Sequence, residues 1–223
     1  MYIACWSPKG GSGTTVVAAL LGLTLARSSP EGALVADLEG DLPAALGVPD
    51  PTGPGLGEWL AAGSDVGTDA LERLEVDVGR SLRLLPRGSA PGGVGVAARA
   101  EALAAAWVVT HRPVVVDCGV AERSPALHLA AAATVSLLVL RPCYLALRKA
   151  LAAPVRPTGV VLIREEDRVL RAADVEQVLG VPIWLELPHD RSVARAVDAG
   201  LLATRIPRAA ERPLERALLA LAR

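Results

Sequence analysis

Residues 2–6, Tyr-Ile-Ala-Cys-Trp, form a short apolar run, and residues 16–26 form a longer one with helical character. Between them lies Ser7-Pro8-Lys9-Gly10-Gly11-Ser12-Gly13-Thr14-Thr15. Strand, glycine loop and helix in that order make an anion cradle. The glycines let backbone N–H groups converge on a phosphate, and the helix adds its positive N-terminus. The usual loop, GxxxxGK[ST], has a lysine before its hydroxyl residue. This chain has Thr14 there and carries its lysine, Lys9, at the start of the loop. The pattern predicts a site for a nucleotide, with hydrolysis in question. A lost charge-assisted hydrogen bond to phosphate costs about 1.5–3 kcal/mol, a roughly tenfold to hundredfold weaker site.

The rest of the chain repeats the alternation. Strand-like apolar runs fall at residues 2–6, 33–36, 82–85, 113–116, 135–140, 159–163 and 183–187. Ala/Leu-rich segments with helical spacing fall at 16–27, 95–109, 125–133, 145–153, 171–179 and 192–199. Continuously apolar strands alternating with helices predict an α/β fold, a mainly parallel sheet of about seven strands covered on both faces. Hydrophobic residues are 52% of the chain but aromatics only 3%, with no phenylalanine, so the core must be mostly Ala, Val and Leu. The 223 residues fit one domain over 1–223. Two Gly/Pro-rich stretches, 47–67 and 86–95, read as surface loops with a short helix near 57–62. The last segment, 211–223, places Leu214, Leu218 and Leu221 at helical spacing. It reads as a closing helix docked on the core in preference to a membrane-surface helix, since it lacks a bulky aromatic anchor.

Several classes are excluded or disfavoured. The net charge of −1 does not describe a general polyanion binder. Cys5, Cys118 and Cys143 lie in or beside apolar runs and read as buried reduced thiols; their spacing fits no zinc site. His111, His128 and His189 do not cluster with acids or cysteines. The run 130–140 is too short to span a bilayer, and no signal peptide precedes the first strand, so a cytoplasmic protein is expected. The four tryptophans read as core or interface packing, with Trp59, in a Gly/Pro-rich loop, the best interface candidate. Arg191, Arg195, Arg205, Arg208, Arg212 and Arg216 give the C-terminal part a positive bias, but Asp190, Asp198, Glu211 and Glu215 interleave with them. A solvated mixed-charge face is favoured there over DNA binding.

Nucleotide chemistry also needs a metal held and a water aimed. Thr15 supplies a hydroxyl for Mg²⁺, and Asp117 ends the apolar run 114–116 where a metal-steadying carboxylate belongs. Asp37 ends the run 33–36 in the same way, with Glu39 two residues on. KGGSGTT, ADLEGDLPAALGV, VVVDCG, LLVLRP and GVPIWLELPHD occur in the order found in the MinD/ParA family of deviant Walker-A ATPases. The chain resembles this family from Tyr2 to Leu221, most closely the CpaE/TadZ-like branch and its actinobacterial relatives.

The resemblance implies the P-loop NTPase fold, ATP or ADP with Mg²⁺ as ligands, and an ATP-bridged homodimer. It makes Lys9 the signature lysine that reaches across that dimer to the partner's nucleotide. Gly10, Gly11, Ser12, Gly13 and Thr14 complete the loop; Thr15, Asp37 and Asp117 serve the metal. Glu39 takes the place of the acid that orients the attacking water, an aspartate in relatives. Leu187-Pro188-His189-Asp190 matches the family's IPxD loop, so Pro188 and Asp190 would line the base. The family's adenine-reading asparagine is replaced by Ile163-Arg164, which leaves the base to backbone groups and Arg164. The function implied is a nucleotide-dependent dimerising switch with slow or no hydrolysis. It would localise or regulate a surface assembly machine such as a Tad-type pilus through a protein partner, cytoplasmic or peripheral at the membrane through that partner. Two alternatives stand beside it: a pseudo-ATPase scaffold that dimerises without nucleotide, and an active ParA/MinD-like ATPase positioning DNA or the division site.

Overall fold

All seven apolar runs become strands of one sheet. The computed structural model describes residues 1–63, 65–90, 96–122 and 125–221. The strands are β1 (Tyr2–Ser7), β2 (Ala33–Asp37), β3 (Val76–Gly79), β4 (Leu82–Leu85), β5 (Val114–Val120), β6 (Val135–Leu140), β7 (Gly159–Arg164) and β8 (Ile183–Pro188). They lie in the order β3-β4-β2-β5-β1-β6-β7-β8. Every pairing is parallel except β3 with β4. Strand β3 is the eighth strand that the periodicity does not announce. It is exposed along most of its length (Val-Asp-Val-Gly) and is held by a tight turn through Arg80 and Ser81, both at positive φ.

The helices are α1 (Thr14–Ser28), α2 (Leu42–Leu46), α3 (Leu56–Ala61), α4 (Val96–Val109), α5 (Ala126–Ala132), α6 (Tyr144–Ala152), α7 (Ala172–Leu179), α8 (Arg191–Asp198) and α9 (Arg208–Leu221). Two cores result, one on each face of the sheet. Trp59, Leu103, Trp107, Leu129, Ala146 and Val175 fill one; Val17, Leu21, Leu42, Leu46, Leu202 and Leu214 fill the other. The closing helix docks as expected, with Leu214 fully buried. The short helix expected near 57–62 is α3, and α2 is an addition within the segment after β2. Gly95, the remainder of 91–95 in the second loop, Ser64 in the first and Arg223 lie outside the described residues.

Trp59 is not presented to a partner. Its ring is buried, its indole N–H donates to Gly67 O at 3.0 Å, and the Arg99 guanidinium stacks on it 3.8 Å from the ring centre. Arg99 also donates to the carbonyls of Trp59, Gly63 and Val66, so one arginine gathers the Gly/Pro-rich surface loop.

The strand order places β1 at the middle of the sheet, and its glycine loop opens at the carboxyl end, where ligands of doubly wound sheets bind. Helix α1 lies close against the sheet because Gly22 faces Val35: a Cβ there would come 2.2 Å from Val35 Cγ1. The valine is fully buried and branched at Cβ, so it cannot yield. Gly22→Ala should therefore destabilise the protein by about 1–3 kcal/mol through overpacking, despite alanine's better helix propensity. Chemical denaturation should show that loss, and a Gly22→Ala/Val35→Ala double variant should recover part of it.

Candidate functional site

The carboxyl ends of β1, β2 and β5 converge on the glycine loop. Gly11 and Gly13 take positive φ (75° and 91°), which a side chain would strain, and Gly13 is the N-cap of α1. A Cβ built on Gly10, Gly11 or Gly13 meets nothing within 4 Å, so the loop encloses open space and not a packed wall. The first N–H groups of α1, those of Thr14, Thr15 and Val16, have no intrahelical acceptor and remain available to an anion. Ser7 braces this shape: its hydroxyl lies 2.9 Å from Lys9 O and 3.2 Å from Gly119 O. Ser12 Oγ donates to Lys9 O at 3.0 Å. Thr14 is buried at the first turn of α1, and Thr15 is half-buried beside Asp117. The Lys9 amino group donates to Gly10 O at 3.4 Å, an exposed contact within the loop itself.

Parallel register sets Asp37 directly beside Asp117 on the neighbouring strands. Both are fully buried, but they are used differently. Asp37 Oδ1 accepts from the N–H groups of Glu39 (3.0 Å) and Gly40 (2.7 Å), and Oδ2 accepts from Leu42 N–H (2.9 Å). Both oxygens are thus engaged by its own loop, and Asp37 organises the segment that carries Glu39. Oδ2, with one donor, keeps a lone pair. Asp117 accepts from Gly119 N–H at 3.1 Å through Oδ1, while Oδ2 is buried with no hydrogen-bond partner among the described residues. An orphaned carboxylate oxygen beside a threonine hydroxyl is a hard-oxygen pair that fits Mg²⁺.

Burial drives the Asp117 carboxyl up to about 7, and neighbouring Asp37 and Glu39 add to the rise; the Thr15 hydroxyl and the Gly119 N–H oppose it. Glu39 is also raised, chiefly by burial, with Arg87 pulling it down. It stands over Gly119, where a Cβ would come 2.3 Å from Glu39 Cγ. Gly119 and Arg87, which position the candidate water-orienting acid, carry no signal in the sequence beyond the glycine after Asp117-Cys118.

A cavity of about 160 Å³ opens from Ser12 and Gly13. Pro188, His189 and Asp190, which the resemblance assigned to the base, line it, with Ile163, Leu187 and residues of α8 around them. Asp190 also caps α8, accepting from Ser192 N–H at 2.7 Å. Arg164 is not there. Its side chain is exposed and outside the cavity lining, and its carbonyl accepts from His189 N–H at 2.8 Å. Arg141, at the end of β6, lines the cavity instead.

No protein-family model matches the chain, and no curated protein matches it. Solved structures do. A ParA family ATPase from Chlorobium tepidum superposes with a TM-score of 0.74 at 20% identity, covering 97% of this chain and 98% of that one. The septum site-determining protein MinD from Pyrococcus horikoshii, complexed with Mg-ADP, gives 0.76 at 18% identity over 98% and 94%. The MinD cell division protein of Aquifex aeolicus gives 0.78 at 18% over 100% and 97%. The fold is therefore that of the MinD/ParA-type P-loop proteins. Among the described residues no helix is long and apolar enough to cross a membrane.

Asp117 gives the site a pH signature. Its folded-state pKa, about 7, lies above the unfolded value near 3.8, so the native state holds a proton that the unfolded chain has released. Stability of the ligand-free protein should fall as pH rises from about 4 to about 7 and then level off, by at most about 4 kcal/mol for this group. Asp117→Asn should flatten that dependence and raise the ligand-free melting temperature at pH 8, read by calorimetry across the range. A wild-type profile that is flat between pH 4 and 7 would contradict it.

Proposed function

We propose that the chain is a nucleotide-dependent dimerising switch of the MinD/ParA type, with slow or no ATP hydrolysis. One observation carries this reading: an open glycine cradle at the N-terminus of α1 stands beside a buried, unpartnered Asp117 oxygen. A relic loop in a nucleotide-free scaffold would have no reason to keep either. Gly10, Gly11, Ser12, Gly13 and Thr14 bind the phosphates with backbone N–H groups. Thr15 and Asp117 would hold Mg²⁺, whose charge offsets that of the phosphates. Asp37 fixes the loop that carries Glu39, and Glu39 orients the water. Pro188 and Asp190 flank the base.

Slow turnover follows from Thr14, which offers no cation to the charge that develops on the transferring phosphoryl group. The Lys9 amino group makes an exposed contact with Gly10 O and no ion pair among the described residues, so it can act on a second copy. That is the basis for a homodimer as the nucleotide-bound state. The motifs shared with the CpaE/TadZ-like branch support a role in placing a surface assembly machine such as a Tad-type pilus through a partner protein.

Light scattering should show a monomer without nucleotide and a dimer with excess ATP and Mg²⁺. Lys9→Ala should retain nucleotide binding and lose the dimer. An unchanged oligomeric state with saturating ATP would select the scaffold instead.

A second reading, DNA positioning, gains from one observation. Glu211 and Glu215 turn to Arg27, and Asp190 is engaged as a helix cap. Arg191, Arg195, Arg205 and Arg208 are left with no ion-pair partner among the described residues. Arg195 and Arg208 border one groove between α8 and the start of α9. Fluorescence anisotropy on a nonspecific duplex should then show binding whose log K falls steeply with log salt, with a smaller slope in Arg195→Ala/Arg208→Ala. Absence of binding at 50 mM salt would dismiss it.

A further inference from the structure

We propose that Arg141, and not Arg164, is the side chain that reads the base of the bound nucleotide. The inference rests on the nucleotide-binding reading above and deepens it. The cavity that continues from Ser12 and Gly13 is walled mostly by apolar groups, among them Val16, Val17, Leu20, Leu187 and Val197. Arg141 is the one arginine or lysine in its lining. Strand β6 neighbours β1 in the sheet, so its last residue, Leu140, delivers Arg141 beside the glycine loop.

The guanidinium is held in place from behind. Nη1 donates to Glu165 Oε1 at 3.3 Å, and Glu165 is itself paired with Arg168. Nε is buried with no hydrogen-bond partner among the described residues. Nε is therefore out of a ligand's reach; Nη2 is accessible, has no hydrogen-bond partner among the described residues, and is the donor that an acceptor on a bound ligand would meet. Arg164 has the opposite setting: its side chain is in solvent, and only its backbone carbonyl serves the Leu187–Asp190 turn, through His189 N–H.

A guanidinium has donors only. It can therefore bind only acceptors on a base edge. Adenine and guanine both present N7 there; guanine adds O6, where adenine has an amino donor. Arg141 is thus suited to purine N7, and nothing in its chemistry excludes guanine. Placement against the base, and not against the phosphates, is what the experiment must separate.

Isothermal titration with Mg²⁺ and ATP, GTP or tripolyphosphate, on wild type, Arg141→Met and Arg164→Met, does so. Wild type should bind both nucleotides more tightly than tripolyphosphate, with GTP within about tenfold of ATP. Arg141→Met should weaken both nucleotides by roughly tenfold to hundredfold and leave tripolyphosphate unchanged. Arg164→Met should change none of the three. Glu165→Gln keeps Arg141 but loosens its tether; it should weaken both nucleotides and spare tripolyphosphate, which covers an Arg141 variant that fails to fold.

Equal losses for nucleotides and tripolyphosphate would place Arg141 on the phosphates and overturn the inference alone. So would nucleotide affinities untouched by Arg141→Met, or GTP more than a hundredfold weaker than ATP. Failure of wild type to bind any of the three would overturn the nucleotide reading together with it.

Discussion

Two carboxylates buried side by side at the ends of β2 and β5 determine how this site is arranged. Like charges in a desolvated place cannot both remain ionised without help. The chain resolves the conflict asymmetrically. Asp37 receives three backbone N–H donors and thereby folds the loop behind it. Asp117 receives one and is left with a free oxygen and a strong preference for a proton or a cation. The unpartnered oxygen of one acid stands beside the full engagement of the other by its own loop. The glycine loop, braced by Ser7 across to Gly119, is placed against that free oxygen.

The sheet was legible because its strands are buried on both faces. Val114–Val116 or Leu137–Leu140 cannot lie elsewhere than in a covered parallel sheet, and both do so. Strand β3 was not legible, since an exposed edge strand carries no hydrophobic pattern, and its existence follows from the turn at Arg80 and Ser81. The loop residues were legible from glycine spacing alone. How differently the two acids are engaged was not: Asp37 and Asp117 both end apolar runs, and only the backbone donors around each tell them apart.

The base side shows a second limit. The resemblance assigned Arg164 to the base from its sequence position at the end of β7, yet its side chain is exposed while that of Ile163 before it is buried. Arg141 belongs to another strand altogether, and its place at the cavity depends on β6 lying next to β1, which no local pattern reveals. Trp59 is the same lesson in reverse. A tryptophan in a Gly/Pro-rich loop suggested an exposed anchor, yet Arg99, forty residues on in the chain, covers it and orders the loop.

Helix α8 lines the cavity beside the glycine loop without burying a single residue completely. Segments with little buried surface open locally at a fraction of the free energy needed to unfold the whole chain. Local opening of this one short helix would uncover the cavity while the sheet and α1 stay intact beneath it. A ligand seated under α8 supplies the apolar contact that the helix lacks. Occupancy would register as slower amide exchange in residues 191–198, long before any change reached the core.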